Sequence, residues 1–263
     1  MLDAINGETA ISGEGNCEKN DIFTKKELLV VTNYKTAVIP AKCTSLELGL
    51  NKLKDNAAIS LATALTNNTR VTRVSLYNNE IGKKGAAALA EMLKVNNVIT
   101  MLNLDDNAIG NKGLKLLAEA FKVNTALTNL DLEENGIKDA GMVALAEALE
   151  VNRGLRAIDI DNNRISDKGA IAIASALKVN KVLTDFSITD NKIGDEGAIA
   201  IANALRVNTH MQSLEIEDNK FGKDAKAEFA SMQKARSPPL KELKVEGDGT
   251  GPTLPADEPK TVD

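Results

Sequence analysis

Few residues of the chain suit acid–base or covalent catalysis. The single histidine, His210, lies between a predicted helix and a predicted strand, and the two cysteines, Cys17 and Cys43, have no surroundings that indicate a reactive thiolate. The sequence contains no G-x-S-x-G, P-loop or G-x-G-x-x-G motif. We therefore expect a protein that is not an enzyme, with no catalytic residue and no cofactor.

One short stretch resembles the start of a calcium-binding loop. Asp131, Glu133, Asn135 and Gly136 follow the spacing of the first six positions of an EF-hand loop. The third position is Glu133, however, and the twelfth is Met142, where such a loop needs a bidentate glutamate. Because the same spacing arises from strand alternation before a recurring asparagine, we predict no metal site.

Carboxylates are the one group that the sequence concentrates. Asn129, Asp131, Glu133 and Glu134 define four positions of a 28-residue repeat, and over seven repeats these positions number 28. Thirteen of them are acidic and one, Arg73, is basic, whereas 37 acids in 263 residues would place about four there by chance. The acidic members are Glu47, Asp105, Asp106, Asp131, Glu133, Glu134, Asp159, Asp161, Asp185, Asp190, Glu215, Glu217 and Asp218.

The carboxylates must lie on one face if the repeats stack. Strands one repeat apart are about 4.8 Å apart, so acids in register repel each other and destabilise the sheet. One interpretation is a solvated face that keeps an exposed sheet soluble. The other is a binding face for a basic protein or peptide, because an acidic surface steers cations towards it. At one end of this face Tyr77 and Met101 suggest an apolar hot spot, with Tyr77 packing over Gly49.

The elements that position these acids recur without a slip in register. The stretch Leu127–Ile137 reads L-x-x-L-x-L-x-x-N-x-I, and its asparagine recurs every 28 residues at Asn51, Asn79, Asn107, Asn135, Asn163, Asn191 and Asn219. A fixed period of this length predicts a stacked-repeat solenoid rather than a globule around one centre. Two apolar residues alternate just before each asparagine, as Leu130 and Leu132 do, which predicts a strand buried on one face.

A helix is predicted in the second half of each repeat. The spacing of Leu89, Ala90 and Leu93 is helical, and a second asparagine series, of which Asn152 is one member, closes these helices. We expect the left-handed conformation at these closing asparagines. Lys94, Lys122, Lys178 and Arg206 come just before such closing positions, and we interpret them as helix-dipole partners rather than as a phosphate or nucleic-acid site.

The full pattern resembles the ribonuclease-inhibitor type of leucine-rich repeat, over about residues 43–245. The resemblance implies an α/β horseshoe solenoid of about seven repeats plus end caps, with a parallel sheet on the concave side and helices on the convex side. It also implies that the side-chain amides of the recurring asparagines satisfy backbone groups in the turn after each strand. Related repeats serve in ribonuclease inhibitors, innate-immune receptors and actin-capping tropomodulins. This chain lacks the many cysteines of the inhibitors and any nucleotide-binding domain, so those particular activities are not carried over.

Composition points to a soluble setting. The net charge is −5, which disfavours bulk nucleic-acid binding, and no apolar run is long enough to cross a membrane. Two cysteines are too few for a disulfide framework, which suggests a reducing compartment. The N-terminus lacks the basic and apolar regions of a signal peptide. We expect a cytoplasmic monomer without nucleic-acid or membrane partners.

Five segments follow from these patterns. They are a disordered N-terminal segment at 1–22, an N-terminal cap at 23–42, the repeats at 43–236, a C-terminal cap strand at 237–246 and a disordered tail at 247–263. The polar, glycine-containing ends carry the two disorder predictions. The caps are predicted because the ends of a solenoid must cover their apolar faces.

The predicted function is a non-enzymatic protein–protein interaction scaffold that binds a basic protein or peptide on the acidic face. The predicted partner-binding residues are Tyr77, Met101, Asp105, Asp131, Glu133, Asp159, Asp161, Asp185, Glu215 and Glu217. Two alternatives stay open. The chain could be a GTPase-activating protein similar to the one that acts on Ran, although that family has less regular repeats and a long acidic tail, or it could be a host-targeted effector exported without a classical signal.

Overall fold

The computed structural model describes residues 22–23, 39 and 43–245. The predicted disordered tail, the predicted disordered N-terminal segment up to residue 21 and most of the predicted N-terminal cap lie outside the described residues. Ile22, the last residue of the predicted disordered segment, belongs to a strand. Within the described part, no helix is long and apolar enough to cross a membrane.

Short strands alternate with longer helices along the described chain. The strands are β1 (Ile22–Phe23), β2 (Ser45–Glu47), β3 (Arg73–Ser75), β4 (Met101–Asn103), β5 (Asn129–Asp131), β6 (Ala157–Asp159), β7 (Asp185–Ser187), β8 (Ser213–Glu215) and β9 (Glu242–Lys244). The helices are α1 (Lys54–Leu65), α2 (Lys83–Leu93), α3 (Gly110–Phe121), α4 (Asp139–Val151), α5 (Asp167–Val179), α6 (Asp195–Val207) and α7 (Lys223–Ala235). Seven strand–helix units from β2 to α7 therefore follow the predicted period.

The strands form one open parallel sheet in chain order, β1 to β9. Between β2 and β8 each residue pairs with the one 28 positions on, as Leu102 pairs with Leu130. At β9 the step is 29 residues, because Leu243 pairs with Leu214. The last strand, β9, is thus displaced by one residue relative to the repeat. It lies at Glu242–Lys244, and the assignment of residues 237–246 as a C-terminal cap stays a prediction.

The sheet lies on the concave side because helices are wider than strands. Adjacent strands are about 4.8 Å apart, whereas packed helices are about 8–10 Å apart. Each helix packs on the helices of the neighbouring repeats, so the stack must curve towards the strands. This confirms the predicted α/β solenoid with strands inside and helices outside.

The core is a continuous column of Leu, Ile, Val and Ala between sheet and helices. The alternating strand residues, such as Leu130 and Leu132, are at most 2 % exposed. Small residues let neighbouring helices approach closely: a Cβ on Gly197 would lie 2.8 Å from the Cβ of Ala170 in the previous helix. Close packing of this kind tolerates little added volume. The core therefore joins the repeats by contact between nearest neighbours, as expected of a solenoid.

The recurring asparagines after the strands are buried and join adjacent repeats. Asn163 Nδ2 donates to the carbonyls of Leu132, Ile160 and Asp161, at 2.8–3.1 Å, and Asn163 Oδ1 accepts the N–H groups of Asn135 and Ile137. One amide thus satisfies backbone groups in two repeats, which would each cost about 1–3 kcal/mol if left unpaired. This is the role that the resemblance implied for these residues.

The second asparagine series closes the loops between helices and strands. Asn152 Nδ2 donates to the carbonyls of Phe121 and Asn124, while its Oδ1 accepts the N–H groups of Gly154 and Leu155. The expected left-handed conformation is wrong here, since Asn152 has φ −62° and ψ 141°. The left-handed conformation occurs instead one residue before the asparagines that follow the strands. These residues have φ of 48–52° and are Asn78, Asp106, Glu134, Asn162, Asp190 and Asp218.

Arg236 takes the last position of this second series. Its side chain is buried, and its guanidinium donates to the carbonyls of Asn208, Met211 and Pro238 at 2.5–3.0 Å. An asparagine here could reach the Asn208 carbonyl but not all three. The regular loop pattern therefore stops at this side chain.

Acidic or amide side chains in one repeat also cap the helix of the next repeat. Local sequence motifs do not predict this role. Asp139, in the first turn of α4, accepts the N–H groups of Ser166 and Gly169 and the hydroxyl of Ser166 at the start of α5. Asp55, Asn111, Asp167 and Asp195 act likewise on the following helix. Lys83 takes this position before α3, and α3 begins differently, with Gly110 at φ 56°.

Cys43 is buried and disulfide-bonded. Its bond is the oxidised state of the thiol, so the cysteines do not support the expectation of a reducing compartment. Two cysteines are enough for one disulfide, so a low cysteine count does not exclude an oxidised pair.

Candidate functional site

The acidic concave face consists of three rows of side chains that run across the strands. The first row contains Met101, Asn129, Ala157, Asp185 and Ser213 in register. Two residues further along each strand, the second row contains Asn103, Asp131, Asp159, Ser187 and Glu215. The third row, just past the strand ends, contains Tyr77, Asp105, Glu133, Asp161, Thr189 and Glu217. Carboxylates dominate the second and third rows.

Asp131 and Asp159 occupy adjacent strands and shape the turn that follows them. Each accepts the backbone N–H two residues ahead, from Glu133 at 3.1 Å and from Asp161 at 3.0 Å. Asn103 makes the same bond in the preceding repeat. The fold therefore uses a hydrogen-bond acceptor at this position. It does not require a charge, because an amide serves equally well.

Asp161 lies at the centre of the carboxylate cluster. Its Oδ1 accepts the Ser187 hydroxyl and the Thr189 N–H, both at 2.6 Å. Burial, followed by repulsion from Asp159 and Glu133, raises the pKa of Asp161 to about 7. This carboxyl group is thus close to half protonated at neutral pH.

The neighbouring acids are shifted in the same direction. Burial first, and then repulsion from Glu133 and Asp131, raises the pKa of Asp105 to about 6. Burial and the charges of Asp131, Glu133 and Glu215 raise the pKa of Asp159 to about 6. Burial likewise raises the pKa of Asp131. One electrostatic cluster across three repeats therefore consists of Asp105, Asp131, Glu133, Asp159 and Asp161, whose charges act on one another through space.

A shallow groove of about 290 Å³ crosses the first two rows. The small side chains Ala157 and Ser187 line its middle, Met101 lines one end, and Ser213 and Glu215 on β8 line the other end. Asp131, Asp159 and Asp185 line it as well. The groove can thus accept an elongated segment of a partner beside the carboxylates of the second row.

Tyr77 and Met101 do not form one patch. Met101 lies in the first row and Tyr77 in the third, so about four residues of strand, roughly 13 Å, separate their positions. Tyr77 packs flat on Gly49, whose added Cβ would lie 1.8 Å from a ring carbon, and its side chain remains 36 % exposed. The predicted joint hot spot therefore becomes two separate apolar corners of the face.

The C-terminal end of the face carries its own counter-ion. Lys244 on β9 approaches Glu215 at 2.9 Å and Glu242 at 3.3 Å. Glu215 is therefore engaged within the chain, and part of the negative charge predicted at this end is neutralised. Glu217 lies beyond the neutral Thr189 in the third row and is set apart from Asp161. Asp185 is exposed and accepts the Thr184 hydroxyl at 2.6 Å.

Several acids of the wider face have a conformational explanation. Asp106, Asp190 and Asp218 have positive φ, where Asp and Asn are tolerated better than most residues. Their acidic character therefore reflects the turn as well as any partner. The acids that remain for recognition are mainly those of the second and third rows.

The described residues contain no group of three or more His, Cys, Asp and Glu side chains placed to hold a metal ion. His210 is exposed, and its backbone N–H donates to Asn208 Oδ1 at 2.8 Å.

Comparison with protein families decides the class. A model described as "Leucine Rich repeat" matches residues 67–90, 95–118, 123–146, 151–174, 179–202 and 207–225, which is more than half of the chain. The chain belongs to the leucine-rich repeat family. No curated protein matches this leucine-rich repeat protein.

Solved structures include two that resemble this leucine-rich repeat protein. Actin-binding site 2 of leiomodin-1 is 23 % identical, with a TM-score of 0.48, and the match covers 56 % of this chain and 86 % of that one. The C-terminal domain of Caenorhabditis elegans tropomodulin is 16 % identical, with a TM-score of 0.42, and the match covers 48 % and 75 %. These similarities are too low to say anything about a partner.

Proposed function

We propose that this leucine-rich repeat protein is a non-enzymatic protein–protein interaction scaffold that binds a basic protein or peptide on its acidic concave face. The observation that carries the proposal is the cluster of Asp105, Asp131, Glu133, Asp159 and Asp161. Burial, together with the mutual repulsion of these carboxylates, raises the pKa of Asp105 and Asp159 to about 6 and that of Asp161 to about 7. A basic partner would relieve that repulsion.

The fold alone does not require this charge. Asn103 and Ser187 occupy the same row as Asp131 and Asp159, and Asn103 makes the same turn hydrogen bond without a charge. Solubility would be served equally by acids on the outer helices, where they would not repel one another. Carboxylates concentrated on a concave surface instead attract and orient cations.

The groove indicates how a partner segment would lie. It would run across the strands over Ala157 and Ser213, with basic side chains towards Asp131 and Asp159 and an apolar side chain against Met101. Tyr77 would contact a second part of the partner at the opposite edge. Asp185, Glu215 and Glu217 complete the proposed partner-binding set at the C-terminal side. The 28-residue period and the helical convex side support assignment to the ribonuclease-inhibitor type.

The proposal is tested by capture of basic proteins from a native lysate, followed by titration of the purified partner. The test variant neutralises four clustered acids with isosteres: Asp131→Asn, Glu133→Gln, Asp159→Asn and Asp161→Asn. The control variant removes the same charge from exposed helix positions: Glu91→Gln, Glu147→Gln, Glu196→Gln and Asp224→Asn.

We expect the test variant to bind at least about tenfold more weakly, and binding by the wild type to fall steeply between about 50 mM and about 500 mM salt as charges are screened. The control variant should bind as the wild type does. Equal loss in both variants would show that total charge matters and not the face. Unchanged binding by the test variant would leave the acids as a solubilising surface.

A further inference from the structure

One side of the solenoid has the opposite charge to the concave face. It consists of the end of each helix together with the loop to the next strand, which we name the helix-end flank; the segments are residues 66–72, 94–100, 122–128, 150–156, 178–184 and 206–212. These six loops contain eight Lys and Arg residues and a single carboxylate, Glu150. The whole chain has a net charge of −5, so this positive charge is strongly localised.

The opposite side shows that the charge is not a general property of the loops. Between strand ends and helix starts, residues 78–84, 106–112, 134–140, 162–168, 190–196 and 218–224 contain nine cations and ten carboxylates. We name this side the helix-start flank. The two flanks have equal length and nearly equal numbers of cations. Carboxylates neutralise the cations on the helix-start flank but not those on the helix-end flank.

Exposed valines run along the helix-end flank. Val95, Val123, Val151, Val179 and Val207 occupy the same position in five successive repeats and are 53–64 % exposed. Packed helices place them about 8–10 Å apart. In the outer repeats the position holds Asn67 and Ala235. The valines contribute little to the core at this exposure, and an apolar row among cations indicates a contact surface.

Helix dipoles and ion pairs account for only part of the positive charge. Lys94 pairs with Glu91, Lys122 with Glu119 and Arg206 with Glu228. Arg153 donates to the carbonyls of Glu150 and Asn152 at the end of α4, so the helix C-terminus accounts for its position. Arg156 and Lys181 follow the helices rather than end them, so the helix dipole does not explain their presence. Among the described residues, Arg156, Lys178 and Lys181 form no ion pair. Their charge is open to an external anion.

We propose that the helix-end flank binds the surface of an anionic lipid bilayer. Lys and Arg side chains are attracted to anionic headgroups, and the valine row can enter the boundary between headgroups and acyl chains. A nucleic acid would use the cations but has no use for five valines, and the flank offers no Phe, Tyr or Trp for base stacking. The strands run from one flank to the other, so the concave face stays open to a partner while the flank lies on the membrane.

The test is co-sedimentation with vesicles of phosphatidylcholine alone or with added phosphatidylserine. One variant neutralises four flank cations that form no ion pair among the described residues: Arg153→Gln, Arg156→Gln, Lys178→Gln and Lys181→Gln. A control variant removes four exposed cations from the helix-start flank: Lys112→Gln, Lys138→Gln, Lys192→Gln and Lys220→Gln. A third variant keeps the charge and adopts the residue of the first repeat: Val123→Asn, Val151→Asn and Val179→Asn.

We expect the wild type to bind only the vesicles that contain phosphatidylserine. The flank variant should bind at least about 100-fold more weakly, since each cation contributes roughly fivefold near an anionic surface. The valine variant should bind at least about tenfold more weakly, and the helix-start control should be within about twofold of the wild type.

Three outcomes would overturn the proposal. The wild type could fail to bind anionic vesicles at physiological salt. The flank variant and its control could lose equal affinity, which would assign the effect to net charge. Finally, the valine variant could bind as the wild type does while a DNA duplex competes fully, which would make the flank a general polyanion surface. Circular dichroism of each variant confirms that it is folded.

Discussion

Replacing Asp161 with asparagine should make the protein more stable at neutral pH and reduce the dependence of its stability on pH. The pKa of this carboxyl is about 7 in the folded protein, against an ordinary value of 3.8. The folded chain therefore holds the proton more tightly than the unfolded chain. The free energy of unfolding must then fall as the pH rises from about 4 through about 7, because charge forms where burial and Asp159 oppose it.

The size of the effect follows from the shift. About three pKa units correspond to about 4 kcal/mol at most. Asp161 is only partly buried, so solvent screening reduces this to about 1–2 kcal/mol. Asparagine keeps an Oδ1 that can accept the bonds from Ser187 and Thr189, so the substitution removes the charge without removing the acceptor.

Urea unfolding at pH 7.5 and pH 5 provides the measurement. The wild type should gain stability at pH 5, and Asp161→Asn should exceed the wild type by about 1–2 kcal/mol at pH 7.5 and approach it at pH 5. Asp224→Asn, which removes an exposed carboxylate from α7, should keep the pH slope of the wild type. If both variants showed the same slope as the wild type, the account of Asp161 would be refuted.

Substitutions at three further positions test the contacts within and between repeats. Asn135→Ala should cost about 2–4 kcal/mol in urea unfolding, because it leaves the Leu104 and Glu133 carbonyls and the Ile109 N–H without their side-chain partner; a cost below 1 kcal/mol would argue against the ladder. Asp139→Ala should cost about 1–2 kcal/mol by removing the cap of α5, while Asp139→Asn should retain most of that stability. Gly49→Ala should displace the Tyr77 ring and change the NMR shifts of its ring protons; unchanged shifts would contradict the close packing.

The sequence predicts the fold well because its signal is repeated in register. A single copy of L-x-x-L-x-L-x-x-N does not define the secondary structure. With seven copies in register, a wrong assignment of strand or helix would have to be wrong in every repeat. The Asn163 amide bonds could be anticipated only from the resemblance to ribonuclease-inhibitor-type repeats. Left-handed turns were assigned to the wrong asparagines because Asp106 and Glu134, which adopt this conformation, read as surface acids.

Contacts between repeats were harder to predict than the elements themselves. Asp139 caps a helix that starts 27 residues later, so a search for local capping motifs does not find it. The recurrence of Asp or Asn at 55, 111, 139, 167 and 195 was the available signal. The pair between Lys244 and Glu215 was beyond the repeat pattern altogether, because it depends on the one-residue displacement of β9. The separation of Tyr77 from Met101 required the strand register.

Arg236 limits how the array can be lengthened. A new 28-residue module inserted between α3 and β5 would find asparagines on both sides, and its loop amides could join the existing series. A module placed after α7 would meet a guanidinium that already occupies the carbonyls of Asn208 and Met211. Growth by duplication is therefore open to the interior repeats but closed at this boundary, where Pro238 and Pro239 also lack the N–H groups that an asparagine at position 236 would bind.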